Sequence, residues 1–466
     1  MLNKTNPSTS HRDQQERAGW MRYNEIRIVG LSLIILLSLS CITAPETRPD
    51  VLLVLVDTFR ADHAGCYGYP RPTTPTLDSL ARSGILYERM QSQSSWTLPA
   101  MTTILTGLAP REHLAGRRSA GLYGIDTSLP YLPGIMQRNG YRTAAFFNVL
   151  FMSAEFGFHR GFDHFDCQGF TGSKSLRDAG QTVDDCLAWL DGTDGKGPYF
   201  IAIHFYDPHI TYDPPSPFDA MFTDSAYVGS YDSSWGTVPQ LMSINREGDT
   251  IPSEGLENLI GLYDGELVYT DRQIGRLLDE LESRGLTDSL LVIVTADHGE
   301  EFLDHGGVEH GHTLYQELLH VPMVISGYDV EPSAPVSTPV TQMDVMPTIL
   351  DKAGLEPPPA MEGKSVLTPE EMDPLRAIPS SGVPWAAEEM VATIRGTQKI
   401  VWFPDSDSSS VYDLADDPGE RNPLPPDSPL LELVTGYWAT PPRADPPLVD
   451  YGEAIERSLR DLGYVR

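Results

Sequence analysis

Val51-Leu52-Leu53-Val54-Leu55-Val56 decides the fold: six consecutive apolar residues, three of them β-branched, closed by Asp57. A continuous apolar run without alternation predicts a strand buried on both faces, the kind found inside parallel sheets. The same signature returns at Tyr199-Phe200-Ile201-Ala202-Ile203 and Leu290-Leu291-Val292-Ile293-Val294, and more weakly at Val321-Pro322-Met323-Val324-Ile325. Between them lie helix-like stretches, Thr76 to Ser83, Leu129 to Asn139, Ser175 to Leu190, and a long amphipathic one from Leu256 to Arg284. Strands alternating with helices predict an α/β sandwich with a mostly parallel central sheet. The segment from His209 to Asp249 is rich in Pro, Tyr, Ser and Asp without clear periodicity, which predicts a long loop insertion of the kind that shapes substrate pockets. After Lys364 the texture changes. Val391 to Ile394, Lys399 to Phe403 and Val411 to Leu414 predict a smaller C-terminal subdomain with an antiparallel sheet. The expected organisation is a leader over 1–43, a main domain over 48–365 and a C-terminal subdomain and tail over 366–466, with a short helix from Tyr451 to Leu462.

The leader points to export. From Ile26 to Ile42 there is no charge after Arg27, and Arg22 and Arg27 stand at its basic end. A short apolar core behind basic residues reads as an export signal. It is a little short for a membrane span, and Met21 would start a signal of ordinary length. Small residues before Cys41 resemble a bacterial lipoprotein box, with Ser38 where Leu is usual. That resemblance implies an exported, periplasmic or cell-envelope lipoprotein, tied to the membrane only through an N-terminal lipid at Cys41. Cleavage without a lipid and an uncleaved anchor are the alternatives. All three put the body outside the cytoplasm.

Charge narrows the partners. Thirty-three basic against 65 acidic residues leave a formal charge of -32, a surface that repels nucleic-acid phosphates and anionic headgroups. Nucleic-acid binding is excluded as the main task. Beyond Cys41 only Cys66, Cys167 and Cys186 remain, which makes neither a disulfide framework nor a thiolate metal cluster. Cys167 with Cys186 could bridge in an oxidising compartment.

In open α/β sheets, ligands meet the carboxyl ends of the strands. Three segments deliver polar groups to that rim. The first strand ends in Asp57, followed by Arg60 and Asp62; the 199–203 strand ends in His204, followed by Asp207-Pro208-His209; the 290–294 strand ends in Thr295-Ala296-Asp297-His298-Gly299-Glu300. Taken singly, Asp57 reads as a helix cap, Asp297 as a turn former and His204 as a satisfied core histidine. Their common delivery to one rim makes an accident improbable. Asp57, Asp297 and His298 suit a divalent cation. Ser94-Ser95-Trp96-Thr97-Leu98-Pro99 looks like a tight turn feeding a helix, where a hydroxyl faces metal and amide donors, although Thr97 is hard to separate from its neighbours.

The series of motifs resembles the signature blocks of the sulfatase family, within the alkaline phosphatase superfamily. The blocks are Asp57-Thr58-Phe59-Arg60-Ala61-Asp62-His63, Gly65-Cys66-Tyr67-Gly68-Tyr69, Thr74-Pro75-Thr76-Leu77-Asp78, Leu105-Thr106-Gly107, His204 with Asp207-Pro208-His209, Thr295 through Glu300, and Tyr315 with Glu317 and Val321-Pro322. Val411-Tyr412-Asp413-Leu414 with Asp417-Pro418-Gly419-Glu420 resembles the family's late element. The resemblance implies an alkaline phosphatase-like three-layer sandwich and an ester hydrolase. It implies metal ligation by Asp57, Asp297 and His298, with Thr97 at the nucleophile position and also on the metal. It makes His209 the residue contacting the transferred group or protonating the leaving oxygen, and His204 a nearby anion-pocket residue. His310 or His312 would be the basic residue after the Asp-His block, and the spacing admits either.

Departures from the family pattern carry chemistry. Orthodox sulfatases oxidise a Cys or Ser to formylglycine within Cys/Ser-x-Pro-x-Arg. Here that position is Thr97, with Pro99 in register and Met101 replacing the Arg. Threonine oxidation would give a ketone, so no formylglycine is expected, and water must cleave an esterified threonine. Thr58 replaces the usual second metal-binding Asp, and the last pair is Asp297-His298 rather than Asp-Asn. One divalent ion is implied, Ca, Mn or Zn, with the imidazole shifting the expectation toward Mn or Zn. The expected mechanism has the Thr97 oxygen attacking sulfur or phosphorus in line, with the cation offsetting charge, Arg60 helping if it turns inward, and His209 protonating the alcohol. The expected substrate is a sulfated or phosphorylated small molecule or glycan. Phosphate mono- or diester hydrolysis, phospho-group transfer, and an inactive binding protein on this fold are the alternatives.

Overall fold

The computed structural model describes residues 48–453 and 456, apart from 169–176, 194, 196, 360 and 387. The apolar leader with Cys41 and most of the expected tail helix lie outside the described residues. No described helix is long and apolar enough to cross a membrane.

The continuous apolar runs form the centre of a seven-stranded sheet. Its strands are β1 (Asp50–Val56), β2 (Ile85–Leu86), β3 (Arg142–Phe147), β4 (His164–Cys167), β5 (Tyr199–Phe205), β6 (Leu290–Ala296) and β7 (Met323–Gly327). They lie in the order β2-β7-β6-β1-β5-β3-β4. β1 runs parallel to both β5 and β6, and β7 is antiparallel to β6. Every residue of β1, β5 and β6 is buried, as unalternating apolar runs require of strands covered on both faces. Helices flank the sheet: α1 (Pro75–Ser83), α2 (Thr97–Thr106), α3 (Leu132–Arg138), α4 (Ala179–Asp191), α5 (Val238–Glu247), α6 (Ser253–Ser283) and α7 (Val345–Lys352). The expected 209–249 loop is irregular for most of its length but contains α5. Cys66, Cys167 and Cys186 are free thiols, so the bridge open to Cys167 and Cys186 is not formed.

A second, four-stranded antiparallel sheet follows in the order β8 (Ala377–Ser381), β9 (Val391–Arg395), β10 (Gln398–Phe403), β11 (Ser408–Asp413), with α8 (Ser428–Trp438) packed on it. It reaches back toward the main sheet through a fully buried ion pair. Lys399 Nζ lies 2.7 Å from Glu420 Oε1, both side chains wholly enclosed, while Glu420 Oε2 accepts from the Gln316 amide at 2.6 Å. Tyr315 is stacked on His305 at 3.6 Å, and His305 Nδ1 meets Glu317 at 2.6 Å. Removing one partner of such a pair strands the other charge in a dry interior, which costs about 3–5 kcal/mol. Lys399→Met should therefore lower the unfolding free energy by that order, and Lys399→Met/Glu420→Gln should recover much of the loss in the same urea titration.

Candidate active site

Strand register brings the site together. Val56 pairs with Phe205 on one side and with Ala296 on the other, so Asp57 and Asp297 each follow the last residue of neighbouring parallel strands. His204 pairs with Leu55 on β5, one step below the same rim. The chain leaves β1 through Thr58 at φ 51°, a left-handed conformation that costs a β-branched residue strain. There Thr58 donates its amide to Asp297 Oδ1 at 3.2 Å and its hydroxyl to the Pro208 carbonyl at 2.9 Å. Its side chain thus ties the β1 and β5 ends together instead of supplying a metal ligand. Tyr263 of α6 braces the same turn, accepting from the Arg60 amide and donating to the Thr58 carbonyl.

Thr97 is the first residue of α2, a helix buried along its whole length and closed by Gly107 at φ 67°. The free amides of a helix's first turn face its N-terminus, which favours an anion there. Thr97 Oγ1 lies 3.4 Å from His298 Nε2. That nitrogen is also 3.1 Å from Asp297 Oδ2 and 3.7 Å from Asp57 Oδ1, while His204 Nε2 stands 3.5 Å from Asp57 Oδ2. Ligands at ordinary zinc bond lengths in tetrahedral array lie roughly 3.3–3.5 Å apart. Asp57, His204 and Asp297 each present a ligand atom within 4.8 Å of the others, all three fully buried. Both Asp57 oxygens, both His204 nitrogens and Asp297 Oδ2 lack a well-formed hydrogen bond among the described residues. Burial, then the Asp297 and Glu300 charges, pushes Asp57 well above the usual carboxylate range. Converging orphaned donors with unbalanced negative charge fit one divalent cation. His204 thus stands with the metal set, not merely in an anion pocket, and His298 adjoins it.

The remaining expected residues divide. His209 stacks on Tyr206 at 4.4 Å, and its Nδ1 lies 2.8 Å from the Ile210 carbonyl. His310 joins it, with ring centroids 4.9 Å from His209 and 4.3 Å from His298. Glu309 and Gly311 flank His310 with φ of 71° and 77°, and these two left-handed residues turn the His310 ring inward. His312 instead bonds Glu301 at 2.7 Å, outside the cluster. Arg60 does not turn inward either: Asp62 grips it bidentately at 2.9 and 2.8 Å, and Asp304 and the Glu300 carbonyl take Nη1. Sequence reading missed Glu300, whose Oε1 lies 3.3 Å from His310 Nδ1 and whose carboxyl burial pushes up to about 8. The Asp-His-Gly-Glu run was the available signal. His310→Ala should lower kcat about 10²-fold or more while His312→Ala changes it by less than about 10-fold, as initial rates with saturating ester would read.

The comparisons agree with this geometry. The family profile described as Sulfatase matches residues 49–355, and one described as N-sulphoglucosamine sulphohydrolase, C-terminal, matches residues 303–436. The Delta 4,5-hexuronate-2-O-sulfatase of Bacteroides thetaiotaomicron is 24% identical over 431 residues, spanning 84% of this chain and 88% of that one. A protein solved in complex with its substrate D-glucosamine-2-N,6-O-disulfate superposes with TM-score 0.68 at 19% identity, covering 90% of this chain and 98% of that one. The phosphonate monoester hydrolase of Agrobacterium radiobacter superposes with TM-score 0.66 at 20% identity, over 84% and 94% of the two chains. With a matched profile over most of its length and a cluster of candidate metal ligands at the strand ends, the chain belongs to the sulfatase family and is a metal-associated hydrolase of the alkaline phosphatase superfamily.

Proposed function

We propose that the protein hydrolyses sulfate esters of a sugar or glycan outside the cytoplasm, through a covalent intermediate on Thr97. The observation that carries this reading is the Thr97 hydroxyl at a buried helix N-terminus, 3.4 Å from His298 in a cluster where Asp57 has no hydrogen-bond partner among the described residues. Asp57, Asp297, His204 and His298 would hold the cation, which supplies charge neutralisation on the ester's non-bridging oxygens. Thr97 Oγ attacks sulfur as its proton passes to the neutral His209–His310 pair, forming an O–S bond while the bond to the alcohol oxygen breaks. The alcohol departs with a proton from His209 or His310. Water then attacks sulfur, releasing sulfate and restoring the threonine. Burial holds His209 well below the ordinary histidine range, so a bound anionic ester is needed before it carries that proton. A sulfated sugar ester is supported by the named activity of the Bacteroides relative and by the disulfated glucosamine in the superposed complex. The export signal and Cys41 lipid box support a cell-envelope location.

A phosphoryl or phosphonyl ester is the second reading. Threonine in place of a formylglycine precursor and the likeness to a phosphonate monoester hydrolase favour it. Parallel turnover of an aryl sulfate, an aryl phosphate monoester and an aryl phosphodiester, after stripping the metal and refilling with calcium, manganese or zinc, separates the two. Dominant sulfate release supports the proposal; dominant phosphoester turnover overturns it.

A further inference from the structure

We propose that Trp385 forms the wall of the subsite for the ester's alcohol portion, and that this subsite takes a ring, the C–H face of a sugar or an aryl plane, by stacking. The inference rests on the hydrolase reading above and names the part of the substrate that reading leaves open.

The segment after β8 is stitched to the nucleophile turn. Ser380 Oγ donates to the Ser92 carbonyl, the Ser381 amide to the Gln93 carbonyl, and Ser94 Oγ to the Gly382 carbonyl, each at 2.9 Å. Gly382 makes this approach possible: at φ 92° it passes so close that an added Cβ would sit 3.1 Å from Ser94 Oγ. Three residues on, Trp385 is fixed from two sides. Its amide donates to the Gly311 carbonyl at 3.1 Å, and its ring lies so tightly on Gly311 that a Cβ there would fall 2.0 Å from the indole. The Trp96 ring meets it edge-on at 5.4 Å. Thr97 follows Trp96 and His310 precedes Gly311, so the indole touches the immediate neighbours of both. Its centroid is 6.5 Å from the His310 ring. Trp96 is buried, whereas Trp385 keeps part of its surface open, which makes Trp96 the support and Trp385 the face.

Charge argues for stacking over ion pairing. The formal charge of -32 disfavours long polyanions, Met101 stands where an Arg is usual, and the Arg60 guanidinium is consumed by Asp62 and Asp304. A ring bearing one ester suits this wall better than a densely sulfated chain.

The test compares the parent, Trp385→Ala and Trp385→Phe, each checked for metal content and circular dichroism, on nitrophenyl sulfate, glucose 6-sulfate and methyl sulfate. The expected result is a fall of about 10-fold in the preference, by kcat/KM, for ring esters over methyl sulfate, largely recovered by Phe. An equal loss on all three esters, or none, overturns the proposal and leaves Trp385 a packing residue. Calorimetric titration of nitrophenyl sulfate into Thr97→Ala and Thr97→Ala/Trp385→Ala reads the subsite without turnover. About 10-fold weaker binding in the double variant supports it; unchanged affinity, or no binding to Thr97→Ala at all, overturns it. If the single variant binds and the parent cleaves nothing, the hydrolase reading fails and the subsite stands.

Discussion

Thr97→Ala should lower ester turnover by about 10³-fold or more, equivalent to roughly 4 kcal/mol of lost transition-state stabilisation. The hydroxyl sits at the start of α2, 3.4 Å from His298. Ser95 is on the same turn and buried, but its Oγ has no hydrogen-bond partner among the cluster residues. Thr97→Ser keeps an attacking oxygen and should retain most of the rate. The contrast between Ala and Ser, with metal content equal in both, identifies the hydroxyl as the acceptor. Mass spectrometry of acid-quenched parent should then find sulfate on the peptide carrying Thr97. Full activity in Thr97→Ala would remove the threonine from the mechanism altogether.

Metal removal carries the second large effect, and its sign depends on the variant. Two fully buried carboxylates at adjacent strand ends repel each other, and neither Asp57 oxygen has a hydrogen-bond partner among the described residues. A cation at 100 times its dissociation constant contributes about 2.7 kcal/mol of stability, so chelation should lower the parent's melting temperature and abolish turnover. Asp57→Asn removes one of the opposed charges while keeping the shape. It should make the chelated protein more stable than the chelated parent, by about 1–3 kcal/mol, and the metal-loaded protein less stable. Scanning calorimetry with and without chelator reads both differences. If Asp57→Asn destabilises the two forms equally, the carboxylate is only packing, not holding an ion.

The parts of this architecture that can be read from sequence are those whose environment is uniform. β1, β5 and β6 are apolar on both faces, so their runs need no partner to be recognised. β3, with Arg142 and two alanines, and β4, half-exposed at the sheet edge, carry no such run. β8 holds Pro379 and two serines, which read as turn chemistry, yet those serines are what bind the strand to residues 92 and 93. Asp57, Asp297 and His204 were legible because strand ends fix where a side chain goes. Orientation inside loops was not. Arg60 is claimed by Asp304, far along the chain, and the choice of His310 over His312 follows from the backbone angles of Glu309 and Gly311. Neither constraint has a local signature.

The stitching of β8 to the nucleophile turn, with the buried Lys399–Glu420 pair behind it, also sets an order of events. Ribosomal synthesis delivers Asp57 and Thr97 early, His298 and His310 much later, and the strands that brace them last of all. A nascent chain therefore owns its reactive groups well before it owns the scaffold that aligns them. Alignment of the reactive groups thus depends on contacts made by the final quarter of the polypeptide.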